Sequence, residues 1–238
     1  MDAASDGARG VLVSSDNVES EGGAADDAAV VGGRPGAEEL ARRVRMAQLD
    51  RFNALPLEEA GEALSACCAS RRWVAALALS RPYRGVGELY RTAAETLASL
   101  DWPDVLEALA AHPRIGERAA GRGPEAAWSR AEQAAAGDAD ARTAAELAEA
   151  NAEYEWKFGH VFLIRATGRT AAQMLTAARE RLRHDELAER TVVRGELGQI
   201  VRLRLDKMLD GFGTVVPDPM SVSGASADAE HGTGGAAR

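Results

Sequence analysis

Between about residues 40 and 209, apolar positions recur at spacings of three and four, which is the period of amphipathic helices. Leu49, Phe52 and Leu55 run into Pro56, and proline suits the first turn of a helix continuing through Glu58, Glu59, Leu64 and Cys68. Ser70 stands as the N-cap of a helix to Leu79 that stops before Pro82. A third helix covers 86–100, with Leu89, Tyr90, Ala93, Ala94 and Leu97 on one face. Asp101 caps a short helix with Pro103 near its start and Val105, Leu106 and Leu109 as its stripe, and that helix runs into His112.

Pro124 opens the next helix, through Glu132 to near Gly137. Another covers about 142–158 and is closed by Gly159, with Leu147, Asn151, Tyr154 and Phe158 at helical spacing. Val161, Phe162, Leu163 and Ile164 form the only short apolar run that resembles a strand. One strand cannot make a sheet, so the run reads as a buried extended connector. Thr170 caps a helix to about Arg183, and a last helical region covers 185–209 with a break at Gly195. The pattern predicts an all-α, single-domain bundle of about eight helices joined by short loops.

Composition trims the ends of the 238-residue chain. Residues 1–39 carry nine acidic and two basic side chains among Gly, Ala and Ser, too little apolar surface to offset the entropy of ordering. The stretch from Asp210 is similar, which sets expected boundaries of an acidic disordered tail at 1–44, a helical domain at 45–210 and a disordered tail at 211–238. Most of the net charge of −9 belongs to those tails, leaving residues 40–209 close to neutral. That balance argues against nucleic acid as a partner. Aromatics are scarce, so one hydrophobic interior of Leu, Ala, Val and Ile is expected. Cys67 and Cys68 are adjacent and offer no disulfide framework, which suits a reducing compartment. With no apolar run of membrane-spanning length and no leader-like N-terminus, the expectation is a soluble cytoplasmic protein without a membrane partner.

Three features can carry chemistry. His112 precedes Pro113, so it should end its helix, and a helix C-terminus favours the imidazolium form of a potential general acid. The plain alternative is a histidine that caps carbonyls. Ser129, Glu132, Gln133 and Ala136 share one helix face, beside an apolar face of Trp128, Ala131 and Ala135. They can hold a polar ligand or simply be solvated. Arg204 falls on the apolar stripe of Leu197, Ile200, Val201, Leu205, Met208 and Leu209, where it needs a carboxylate, a carbonyl cluster or an anionic ligand. Asn151 has a simpler role as a hydrogen-bonding core residue. The four histidines share no metal-ligand spacing, and no phosphate-binding glycine loop or serine elbow occurs.

Four stretches in order resemble one family: His112-Pro113-Arg114-Ile115-Gly116; Ser129-x-x-Glu132-Gln133 with Ala136-Gly137; Asn151-x-x-Tyr154-x-x-Lys157-Phe158-Gly159 running into Phe162-Leu163-Ile164-Arg165-Ala166; and Ile200-x-x-Leu203-Arg204-Leu205. The set is similar to the 2-oxo-4-hydroxy-4-carboxy-5-ureidoimidazoline (OHCU) decarboxylases of urate degradation, over about residues 49–209. The resemblance implies a cofactor-free, all-α, homodimeric carboxy-lyase that converts OHCU to (S)-allantoin and CO2 with stereospecific protonation. By the same resemblance His112 is the proton donor, Glu132 the catalytic carboxylate and Arg204 a substrate-binding arginine. Substrate contacts are implied for Pro113, for Ser129, Arg130, Ala131, Glu132 and Gln133, and for Phe162, Leu163, Ile164, Arg165 and Ala166, the last five largely through backbone groups. His160 and Val161 depart from the Phe-Pro that many relatives carry after the glycine. The rival class is a helical ligand-binding or DNA-binding regulator with a helix-turn-helix near 165–207, where ten basic side chains meet six acidic ones. A relative that has lost activity and serves as a partner is the other alternative, against which the intact His112, Glu132 and Arg204 stand.

Overall fold

Helices account for the predicted segments almost one for one in the computed structural model, which describes residues 36–117, 123–134 and 139–213. They are α1 (Ala37–Ala54), α2 (Leu57–Cys67), α3 (Arg71–Leu79), α4 (Val86–Ser99), α5 (Trp102–Ala110), α6 (Pro124–Glu132), α7 (Ala141–Phe158), α8 (Ala171–Arg181) and α9 (Glu186–Gly211). No strand occurs among the described residues. The run at 161–166 is extended, with Phe162, Leu163, Ile164 and Ala166 buried. No helix among the described residues is long and apolar enough to cross a membrane.

Side-chain caps set four of the nine described helix starts. Ser70 accepts the Trp73 N–H, Asp140 accepts those of Arg142 and Thr143, and Asp185 accepts that of Ala188. Thr170 and Gln173 form a reciprocal capping box. Asp101 departs from its expected role: its carboxylate turns to Arg72 at 3.2 Å and caps nothing.

Two elements differ from the pattern. α1 begins at Ala37, ahead of the boundary expected at 45, because good helix formers extend it and Arg45 ties it to Asp210 of α9 at 2.8 Å. α9 runs unbroken for 26 residues through Gly195. Glycine costs a helix about 1 kcal/mol, which the buried Val193, Leu197, Ile200 and Val201 on either side readily offset.

α9 is the central strut, packed against α1, α2 and α4, while α7 and α8 pack on each other. The interior divides into two hydrophobic clusters where the sequence suggested one. The larger gathers Phe52, Leu64, Trp73, Leu89, Leu109, Leu197 and Leu205. The smaller holds Ile115, Leu147, Tyr154, Phe162, Ile164 and Met174. Four of the scarce aromatics, Trp73, Tyr154, Phe52 and Phe162, are among the largest fully buried side chains, so few rings carry a large share of the packing.

Candidate active site

The seam between the two clusters is where the candidate residues meet. α5 closes at Ala111, and the His112 N–H donates back to the Leu109 carbonyl at 2.9 Å before Pro113 diverts the chain. The loop turns at Gly116, whose φ of 90° lies in the region that glycine tolerates without strain. Two amides clamp this loop. Asn151 Nδ2 donates to the Ile115 carbonyl at 2.8 Å, and the Gly116 N–H donates to Gln133 Oε1 at 3.1 Å. Asn151 thus fills the core role read from the sequence, in the service of the loop that carries His112.

α6 turns Ser129 and Glu132 toward α9, while Gln133 at its end turns to the His112 loop. Arg204, 4% exposed, donates through Nη2 to Ser129 Oγ at 2.9 Å and to Glu132 Oε2 at 3.1 Å. Lys207, one turn further along α9, donates to Glu132 Oε1 at 2.9 Å. Of the partners left open for Arg204, the structure shows the carboxylate, and that carboxylate is the candidate site residue Glu132. Lys207 is the residue that sequence reasoning missed. Its one signal was the three-residue spacing from Arg204, which puts both cations on one helix face.

These groups enclose a cavity of about 20 Å³, enough for one water. His112, Pro113, Ser129, Glu132, Gln133 and Arg204 form its polar side. Phe162, Leu163, Ile164 and Ala166 form the wall opposite, joined by Ile115 and Ile200. Arg130, Ala131 and Arg165 do not line it. All three are exposed. The Arg165 N–H donates to Glu196 at 2.8 Å, and the residue borders a groove between α4 and α9. Ala136 and Gly137 lie outside the described residues. A second pocket, of about 870 Å³, adjoins His112 and Arg204 and is bordered by Trp128, Lys207, Met208 and Phe212.

Electrostatics revise one expectation. The imidazolium favoured at a helix C-terminus is not the resting form of His112, because burial and then the Arg204 charge pull its pKa down to about 3. Local dipole gives way to tertiary environment. Burial also pushes up both thiols, Cys68 to about 11, so neither cysteine is poised as a thiolate nucleophile. No group of three or more His, Cys, Asp or Glu among the described residues could hold a metal ion.

Behind the apolar wall lies a buried polar network. Arg181 Nη1 donates to the Leu163 carbonyl at 2.7 Å, and Arg181 Nε donates to Glu189 Oε1 at 2.8 Å. Tyr154 Oη also donates to Glu189, and the His184 ring pairs with Oε2 at 2.8 Å. The Arg181 guanidinium stacks 4.7 Å from the Phe162 ring centroid. Burial pushes the Glu189 carboxyl up, but the Arg181, Tyr154 and His184 hydrogen bonds outweigh it and hold it below the ordinary range. His160 packs edge-on against Tyr154 and Trp102, both at 5.5 Å, so it fills an aromatic's place.

The low proton affinity of His112 makes stability pH-dependent. Above about 6.5 the imidazole is neutral in both folded and unfolded chains and contributes nothing. As pH falls toward 3 the unfolded chain alone takes the proton, and stability drops. Glu189 acts in the same direction below about 4.5, where protonation removes an ion pair that the unfolded chain lacks. The urea midpoint of the wild type is expected to fall between pH 7 and 5, and to fall less in His112→Asn. Equal losses in the two proteins would mean that His112 titrates normally.

Fold and site together define an all-α protein in which a histidine, a serine, a glutamine and a glutamate–arginine pair line one small cavity. The sequence model of the OHCU decarboxylase family matches residues 53–206, and the chain belongs to that family. It is 32% identical over 160 residues to the uric acid degradation bifunctional protein TTL of Arabidopsis thaliana. That match covers 66% of this chain and 49% of the plant protein, so the chain spans about half the length of this relative. It is 31% identical over 137 residues to the 2-oxo-4-hydroxy-4-carboxy-5-ureidoimidazoline decarboxylase of Amia calva, covering 57% of this chain and 78% of that one. A crystal structure of OHCU decarboxylase in the presence of (S)-allantoin superimposes with a TM-score of 0.53 at 33% identity, over 61% of this chain and 96% of that chain. A crystal structure of (S)-allantoin synthase, at 17% identity and a TM-score of 0.52 over 68% of this chain and 54% of that one, shares the fold.

Proposed function

We propose that this protein is a decarboxylase of urate degradation that converts OHCU to (S)-allantoin and CO2. The observation that carries the reading is the convergence of His112, Ser129, Glu132, Gln133 and Arg204, from three separate parts of the chain, on one cavity. In this reading the substrate carboxylate pairs with Arg204. Its carbon–carbon bond breaks, CO2 departs, and the electron pair delocalises into the heterocycle. Ser129, Gln133 and backbone groups of 162–166 hold the ring and stabilise the developing charge. Net, one proton is taken up for each CO2 released, and His112 delivers it to one face of the carbon that becomes the stereocentre.

The neutral resting state of His112 fits that sequence of events. Burial and then Arg204 depress its proton affinity in the empty site, and an anionic substrate on Arg204 offsets the second of these, so substrate binding raises the proton affinity of the imidazole. The same reading makes the protein a cofactor-free carboxy-lyase, homodimeric and cytoplasmic, with a catalytic domain that takes in α1 to α9. The regulator alternative loses ground because Arg181, Arg194 and Arg204 spend their donors inside the protein. The test is to generate OHCU from urate with the two upstream enzymes and to follow optical activity. Rapid appearance of (S)-allantoin is expected, and slow formation of racemic product at the uncatalysed rate would refute the assignment.

A further inference from the structure

Glu132 is held by two cations, and they stand differently toward the site. Arg204 is 4% exposed and reaches the carboxylate from inside the small cavity, through Nη2 at 3.1 Å and Nε at 3.4 Å. Lys207, 27% exposed, reaches it at 2.9 Å and borders the 870 Å³ pocket. Substrate binding asks different things of the two. A cavity of about 20 Å³ admits no heterocycle, and a substrate carboxylate that pairs with Arg204 draws on a guanidinium whose Nη2 and Nε are now given to Glu132 and Ser129. At that moment Glu132, 9% exposed, would be a nearly buried carboxylate left beside an incoming anion. Such an arrangement is strongly unfavourable unless a cation stays with it.

We propose that Lys207 is the positioning residue for Glu132: it keeps the carboxylate in place and compensated when Arg204 turns to the substrate. This inference rests on the decarboxylase reading. Lys207 holds Glu132 through its own Nζ and does not line the small cavity, so the exchange of partners at Arg204 leaves that bond intact. The i, i+3 spacing on α9 makes the arrangement possible, since one helix face presents the anion binder and the keeper of the catalytic carboxylate together.

The test uses Lys207→Met, Lys207→Gln and Lys207→Arg in the full chain, with OHCU generated in situ and thermal midpoints recorded to check folding. Arg204 is untouched in all three, so substrate binding should be nearly preserved while the geometry of Glu132 is lost. Lys207→Met and Lys207→Gln are expected to lower kcat about tenfold or more with KM changed less than threefold, and Lys207→Arg to recover most of the loss. A kcat within twofold of wild type in both uncharged variants, or a loss confined to KM, would overturn the proposal, the latter because it describes a general attraction for anions. Wild type and His112→Asn run alongside separate the two failures. A wild type that does not accelerate (S)-allantoin formation sinks the decarboxylase reading itself, whereas an active wild type with unaffected Lys207 variants sinks only the role of Lys207.

Discussion

His112→Asn is expected to keep all nine described helices and to lose about 10²–10⁴ in kcat, leaving allantoin to form at close to its spontaneous, non-stereospecific rate. Asparagine retains a short polar side chain at a position that already lies outside α5, so the backbone hydrogen bond from residue 112 to Leu109 survives. What disappears is the imidazole that lines the cavity, the group used as proton donor in the mechanism proposed above. Initial rates and the enantiomeric excess of the product, measured together, give the check. Near-normal turnover with high enantiomeric excess would move the proton donor elsewhere, and the mechanism proposed above would fail.

Arg181→Met should produce the largest loss of stability, about 3–5 kcal/mol in urea denaturation, since it strands a Glu189 carboxylate that is 1% exposed. Three structural links depend on that arginine: its pairing with Glu189, its bond to the Leu163 carbonyl and its stacking on Phe162. Removing both charges together, as Arg181→Met with Glu189→Gln, should cost less than Arg181→Met alone, because the stranded charge rather than the missing bond dominates. A single variant within 1 kcal/mol of wild type would show that water reaches Glu189. The double variant also bears on activity, since Leu163 and Phe162 belong to the wall of the site.

The helices were readable because their apolar spacing and caps are local properties. Ser70 and Thr170 announce themselves in sequence and cap as expected, and Arg204 betrayed its burial by falling on an apolar stripe. What stayed hidden depends on partners far along the chain. Arg181, between Arg179 and Arg183, reads as one more solvated cation at a helix end, yet it is buried by residues as distant as Tyr154. The protonation of His112 was misjudged for the same reason, as a helix terminus is visible in sequence and an arginine 92 positions later is not. The division into two clusters was equally invisible, because one-dimensional periodicity says which face is apolar but not which neighbour covers it.

The bond between Arg204 and Glu132 has one more consequence. A carboxylate fixed beside a guanidinium acts as a tethered competitor whose local concentration no dissolved ion of the same kind can match. Chloride, phosphate or a simple carboxylic acid brings a charge and little else, and is outcompeted. Only a ligand that adds the contacts of Ser129, Gln133 and the 162–166 backbone to its own carboxylate repays the displacement. On the decarboxylase reading proposed above, discrimination against the small anions of a cell is thus set at the doorway, by a side chain of the protein itself, before any bond in the substrate is broken.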